Sequence, residues 1–281
     1  MISIDENNKA YWSELSGSRA AYKLGIVPGD PLSAQKFDDW FFWYYPYLNS
    51  ERFIPWTSLT DTNVLEIGLG YGTVGRRVAK TGALYTGVDI SPGPTRYLAQ
   101  TLPNVNANVL QSSALCLPFR DNSFDTVISL GCLHHTGNVA LAFSECRRVL
   151  KPNGELIVMV YNAFSYKRWM TAPRDTWHRR RKNSDLNTEK RTNNTGGHWY
   201  DRRLDGTAAP QTEFVSRRDL AALLSGFEKV NTSIVNLDNM QDLLPPKLQR
   251  RSFDHLHRVL LHLWFLKYIG LDLYLSAEKS K

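Results

Sequence analysis

VLEIGLGYGTVG, residues 64–75, is the stretch whose reading decides the fold. An apolar run followed by Gly68, Gly70, Gly72 and Gly75 describes a buried strand entering a tight turn and then a helix. In such a turn the backbone can approach a nucleotide-like ligand, and the helix N-terminus faces it. The glycines satisfy two templates, G-x-G-x-G from Gly68 and the dinucleotide pattern G-x-G-x-x-G from Gly70, so spacing alone does not choose the ligand. The neighbours choose. Glu66, at the strand end, suits an ammonium group and repels a pyrophosphate, while Asp89, at the end of the next strand, can accept both ribose hydroxyl protons. Together they predict a ribonucleoside without phosphate.

Outward from this turn, short β-rich runs alternate with helical segments between residues 63 and 162, the pattern of βαβ units and a mostly parallel sheet. Strands are predicted over 63–68, 85–90, 105–110, 124–130 and 154–161, with helices over 72–81, 92–102 and 138–150. The last helix stops at LKPNG, where Pro152 and Gly154 prevent continuation. Further on, a helix is expected over 216–226, a strand over 228–236, a helix over 247–268 after Pro245-Pro246, and a closing strand over 271–279. The domain plan is a lid-like helical and aromatic region (1–60), a cofactor-binding core (61–162), a basic insertion or lid (163–212), and the C-terminal part of the same fold (213–281).

Composition restricts the remaining possibilities. With 281 residues, 42% of them hydrophobic and 22% charged, the chain has the balance of a globular domain with extensions. MISIDENNKA is polar and partly acidic, unlike a secretory or transit leader, so the cytoplasm is the expected compartment. Cys116, Cys132 and Cys146 are odd in number and lack C-x-x-C spacing, which argues against a disulfide framework or a zinc ribbon. The net charge of +7 is concentrated between Lys167 and Arg203, where 11 Lys/Arg face 4 Asp/Glu. One basic segment, not a basic protein, needs explaining. FDDWFFWYYPYLNSERFIPW (Phe37–Trp56), half aromatic, reads either as a helix packed on the core or as a lid over a substrate. LHRVLLHLWFLKYIG, interrupted by Arg258, His262 and Lys267, is too short and too charged for a membrane span and reads as a buried amphipathic helix.

Four blocks in order, VLEIGLGYGTVG, YTGVDIS, LPFRDNSFDTVISLGCLHHT and ECRRVLKPNGELIV, resemble the class I S-adenosylmethionine-dependent methyltransferases of the small-molecule type related to ubiquinone and menaquinone biosynthesis. The resemblance implies a doubly wound, seven-stranded, mostly parallel Rossmann-like sheet and S-adenosyl-L-methionine as cofactor. It implies that Gly68, Leu69 and Gly70 pass under the methionine part with Glu66 supporting the loop, and that Asp89 binds the ribose while Ile90 packs on adenine. Ser113, Ala114 and Leu115 fall in the adenine-reading block, with Ser113 standing where the family usually has an acidic residue. Leu130 opens the stretch that lies near the sulfonium methyl.

His134 and His135 follow the fourth strand at the carboxyl edge of the sheet, where open α/β folds bind ligands. Imidazole can take a proton from an attacking hydroxyl at neutral pH, so both are candidate bases, His134 foremost. Structurally, either could only hold the loop. No metal is expected, because Cys132, His134 and His135 are too close in sequence to converge and have no companion motif. The acceptor is expected to be a small molecule, aromatic or acidic, with Tyr11, Trp12, Tyr45 and Tyr47 as lining residues and O- or N-methylation as the chemistry. Two other readings use the same fold: an RNA methyltransferase working through WHRRRK (Trp177–Lys182), and a binding protein without catalysis. Against RNA, the fourth strand runs into SLGCLHH and not into an N/D-P-P-Y/F motif.

Overall fold

The computed structural model describes residues 4–13, 18–27, 30–102, 106–181, 200–203, 205–237 and 266–281. Seven strands, β1 (Asn63–Ile67), β2 (Leu84–Asp89), β3 (Ala107–Gln111), β4 (Phe124–Leu130), β5 (Leu150–Tyr161), β6 (Phe227–Val235) and β7 (Asp272–Lys279), form one sheet in the order β3-β2-β1-β4-β5-β7-β6. Pairings among β1 to β5 are parallel, and β7 runs antiparallel to both β5 and β6. This is the doubly wound, mostly parallel sheet expected from the sequence.

The helices are α1 (Ile4–Trp12), α2 (Ser18–Leu24) and α3 (Pro31–Tyr44) before the sheet, then α4 (Thr73–Lys80), α5 (Pro92–Thr101) and α6 (Val139–Val149) between its first strands. After β5 come α7 (Tyr166–Thr171), α8 (Pro173–Arg181), α9 (Asp219–Leu223) and α10 (Leu266–Ile269). The central strands are mostly apolar because both sheet faces are covered. Val64 packs with Ile54, Trp56, Val78 and Tyr85 on one face, whereas Leu65 and Ile67 pack with Val127, Phe143 and Leu156 on the other. Asn138 caps α6 by accepting from the Leu141 amide at 3.1 Å, and Val139, Ala142, Phe143, Cys146 and Val149 form its buried stripe.

The aromatic stretch begins as α3. Asp30 caps it, its carboxylate accepting from the Leu32 and Ser33 amides, and Pro31 opens the first turn. Arg76 on α4 binds α3 through two hydrogen bonds to Asp38, at 2.5 and 2.8 Å, and binds α5 through Thr101 Oγ1 at 2.8 Å. Phe37 stacks on Tyr71 of the glycine turn with ring centres 4.4 Å apart. α3 is therefore bonded to the core helices.

Two boundaries differ from the sequence reading. The α6–β5 junction falls at Leu150 and not at Pro152, because Lys151 to Asn153 already belong to the strand. The helix expected over 216–226 is limited to Asp219–Leu223, started by a reciprocal cap in which Ser216 Oγ accepts from the Asp219 amide and Asp219 Oδ2 from the Ser216 amide. The helix expected over 247–268 falls outside the described residues except for Leu266–Ile269. Among the described residues no helix is long and apolar enough to cross a membrane.

The basic stretch opens with α7 and α8, and part of its charge is buried. Arg179 donates to the Phe214 carbonyl at 2.8 Å and to Asp219 Oδ2 at 3.0 Å, with both side chains of the ion pair almost fully buried. Removing one partner of such a pair leaves the other charge buried without its counter-ion, at a cost of about 3–5 kcal/mol. Arg179→Ala is expected to lower the thermal midpoint by roughly 2–4 °C per kcal/mol lost, measured by circular dichroism melting. An unchanged midpoint would show that the pair does not support the fold.

Candidate active site

β1 and β4 lie side by side while the chain leaves them toward opposite sides of the sheet, so their carboxyl ends open a crevice at the switch point. Gly68 has φ +84°, and a Cβ there would lie 2.3 Å from Cys132 Cβ. Only glycine lets the turns after β1 and β4 meet so closely. Ser129 Oγ, donating to the Ile67 carbonyl at 2.8 Å, ties the same two strand ends. Above them is a cavity of about 1330 Å³.

At one end of this cavity two carboxylates converge. Asp89 accepts from the Leu69 amide at 2.9 Å and from the Ser91 amide at 2.8 Å, so it joins the glycine turn to the turn after β2. Burial raises its pKa to about 6, against the lowering effect of the amides of Ser91, Leu69 and Ile90. Glu66 is buried and accepts from the Tyr85 hydroxyl at 2.5 Å. Burial raises its pKa to about 8; the Tyr85 hydrogen bond and the Arg76 charge oppose this, and Asp89 adds to it. Gly75 leaves the room this pair needs, since a Cβ there would lie 2.4 Å from the Tyr85 hydroxyl. Ser113 Oγ accepts from the Leu115 amide at 3.2 Å. Thr73 Oγ1 and Asn8 Oδ1, buried polar atoms on residues lining the cavity, have no hydrogen-bond partner among the described residues. Buried polar atoms of that kind call for a polar ligand, and the carboxylates call for one bearing positive charge and hydroxyls.

The other end is aromatic and carries a charge pair. His135 Nδ1 donates to the Gln211 carbonyl at 2.7 Å, because a carbonyl can only accept. With Nδ1 so engaged, Nε2 is the nitrogen that faces Asp201 Oδ2, 3.2 Å away, and the two form an ion pair when the ring is protonated. The Tyr161 hydroxyl donates to the same Asp201 oxygen at 2.8 Å. Burial pushes the Asp201 carboxyl up, but the hydrogen bond and charge of His135, the Tyr161 hydroxyl and Lys167 outweigh it and hold the pKa below its ordinary value. Tyr45, Tyr47, Tyr200 and Tyr274 wall this end together with Asp272. α1 closes over it. Asn8 Nδ2 donates to the His135 carbonyl at 2.9 Å, and Arg203 donates to the Tyr11 and Ala10 carbonyls at 3.1 and 2.7 Å.

Of the residues singled out in the sequence, Glu66, Gly68, Leu69, Gly70, Asp89, Ile90, Ser113, Ala114, Leu130, His135, Trp12, Tyr45 and Tyr47 line this one cavity. His134, Leu115 and Tyr11 do not. The His134 ring is fully buried, 4.1 Å from His135 and 4.2 Å from Tyr161 between ring centres, with no partner for either nitrogen. Burial, with the neighbouring His135, pushes its pKa well below the ordinary histidine value, so it is neutral packing. Of the two adjacent histidines, it is therefore His135 and not His134 that faces the cavity. The Tyr11 hydroxyl is turned to the Asp201 carbonyl at 3.0 Å, and Leu115 packs against the hydrophobic core. The sequence reading missed Asn8, Tyr161, Lys167, Asp201, Asp272 and Tyr274 as lining residues. Asp201 had one available signal, an acidic residue within a basic run.

Residues 65–158 match the family described as "Methyltransferase domain". The demethylmenaquinone methyltransferase of Tropheryma whipplei is 37% identical over 113 residues, covering 39% of this chain and 45% of the relative. The 2-methyl-6-phytyl-1,4-hydroquinone methyltransferase of Synechocystis is 38% identical over 103 residues, 36% of this chain and 32% of the relative. The chain thus spans less than half the length of these relatives. In fold, it superposes on an S-adenosylmethionine-dependent methyltransferase from Mesorhizobium loti with a TM-score of 0.52 at 17% identity, over 84% of this chain and 98% of that one.

Proposed function

We propose, from the premise that residues 65–158 form a class I S-adenosylmethionine-dependent methyltransferase domain, that the protein transfers a methyl group to a hydroxyl of a ring-bearing small molecule. The observation that carries this reading is one cavity joining the Glu66 and Asp89 carboxylates at one end to the His135–Asp201 pair at the other. The names of the two relatives, a demethylmenaquinone methyltransferase and a 2-methyl-6-phytyl-1,4-hydroquinone methyltransferase, support a ring-bearing small molecule as the acceptor.

Bound S-adenosyl-L-methionine supplies an electrophilic methyl on a sulfonium. Asp89 keeps free lone pairs after its two amide bonds and accepts the ribose hydroxyls. Glu66, held by the Tyr85 hydroxyl, would place negative charge beneath the cationic methionine part, and Ile90, Ser113 and Ala114 would contact adenine. The aromatic walls align the acceptor ring for in-line displacement and exclude water. The His135–Asp201 pair, with Nε2 and Oδ2 3.2 Å apart, would take up the hydroxyl proton as the acceptor oxygen gains the methyl group.

Donor binding should therefore depend on pH. With Glu66 raised to about 8 and Asp89 to about 6, the free site holds protons that a cationic ligand must displace. Affinity is expected to rise by up to about tenfold per pH unit below pH 8 and level off above it, since a one-unit shift corresponds to about 1.4 kcal/mol. Calorimetry with S-adenosylmethionine between pH 6 and 9, in buffers of different ionisation enthalpy, measures both affinity and proton release; a flat profile would contradict the placement of Glu66. The activity itself is tested by screening metabolite extracts and simple hydroquinones for transfer of a labelled methyl group. Absence of S-adenosylmethionine binding in a folded sample would overturn the reading.

A further inference from the structure

One surface plays no part in the fold's interior or in the cavity. α8 turns Arg174, Trp177, His178 and Arg181 outward at i, i+3, i+4 and i+7, while Thr176 and Arg179 are buried on its other side. Trp177 is 51% exposed and Met170, at the end of α7, is 58% exposed. Trp169 meets Trp177 with ring centres 6.4 Å apart, and the Arg181 guanidinium lies 6.0 Å from the Trp177 ring. Arg180 is exposed beside them. The buried Arg179–Asp219 ion pair already anchors the helix, and the half-exposed indole and exposed thioether place apolar surface in water among arginines.

We infer that the outer face of α7 and α8 docks on the surface of a bilayer containing anionic phospholipid. Tryptophan settles at the boundary between headgroups and acyl chains, where its ring is buried and its N–H remains hydrated. Arginine lays its aliphatic stem along apolar surface and sends its guanidinium to phosphate oxygens. The exposed face carries Arg174, Arg180 and Arg181 against Asp175, a net positive charge that complements a negative leaflet. Met170 and Trp177 supply the shallow apolar insertion that charge alone lacks. Met170 has no counterpart in phosphate recognition, and the residues lie on the outer side of two short helices, not in a groove that could track a single strand. α7 also sends Lys167 into the cavity wall, so the docking face and the acceptor end share one helix of six residues.

The docking inference is independent of methyl transfer. Co-sedimentation of the full chain with vesicles of phosphatidylcholine alone, and of phosphatidylcholine mixed with phosphatidylglycerol, tests it. Binding is expected to the mixed vesicles only and to weaken with added salt. The combined variant R174E/R180E/R181E is expected to lose at least about tenfold in partitioning. Trp177→Ser and Met170→Ser, which leave the charge intact, are each expected to lose severalfold, with the circular dichroism spectrum and thermal midpoint of the parent. Equal binding to both vesicle types, no binding to either, or undiminished binding by a folded charge-reversed or Trp177→Ser variant would overturn the inference. So would tighter binding to mixed RNA than to the anionic vesicles, which would assign the face to nucleic acid.

Discussion

Asp89→Ala is expected to weaken binding of S-adenosylhomocysteine by about 100-fold or more, because each charge-assisted hydrogen bond lost is worth roughly 1.5–3 kcal/mol and the proposed ribose contact would use two. The geometry adds a second cost. Asp89 is the common acceptor for the Leu69 and Ser91 amides, so its removal also releases the glycine turn from the turn after β2. Asp89→Asn separates the two effects, since the amide oxygen can still accept from one backbone N–H but carries no charge; its loss should fall between wild type and alanine. Calorimetry gives the affinities and thermal melting shows whether the fold survives. Unchanged affinity in Asp89→Ala would remove the ribose assignment and, with it, the proposed orientation of the donor.

His135→Ala is expected to reduce kcat by about 10²–10⁴, the usual range for loss of a general base, while donor affinity changes little. Asp201→Asn should lower kcat less, by removing the charge that stabilises the protonated ring while retaining a hydrogen-bonding oxygen for Tyr161. His134→Ala provides the contrast. Its ring is fully buried, lies outside the cavity lining and has no hydrogen-bond partner, so truncation should lower the thermal midpoint through lost packing and leave kcat within a few-fold. Full turnover by His135→Ala would place the base elsewhere, and an equal collapse in His134→Ala with unchanged stability would contradict the division of roles between the two histidines.

The donor end was legible in the sequence for local reasons. Glycines at 68, 70, 72 and 75 and carboxylates at 66 and 89 lie within two consecutive strand-turn units, and the sheet brings them together through β1–β2 pairing, with Glu66 opposite Gly87. Alternation of strand and helix signals was sufficient to place that pairing. The acceptor end was not legible in the same way. Asp201 reaches His135 only because residues 200–203 fold back over the turn after β4, held by the Arg203 bonds to the Tyr11 and Ala10 carbonyls of α1 and by the Tyr11 hydroxyl. No periodicity in a polar, basic segment encodes that return. The aromatic stretch was ambiguous for a related reason: one helix can pack Phe37 on Tyr71 and still present Trp40 and Tyr44 to the cavity, and composition does not record which side of a helix a ring occupies.

By itself, then, the sequence determined the sheet, the glycine turn and the two carboxylates beside it, because these depend on side-chain periodicity and on contacts between neighbouring units. Only the tertiary structure decided that His135 and not His134 faces the cavity. In the short turn after β4 (Leu133–His135) the two rings touch but only His135 lines the cavity, while His134, fully buried, loses its solvation, is neutral and serves as packing. The tertiary structure also divided the basic segment between a buried ion pair and an exposed face. That division depends on whether Asp219 is within reach, and long-range packing, not local charge, places it there.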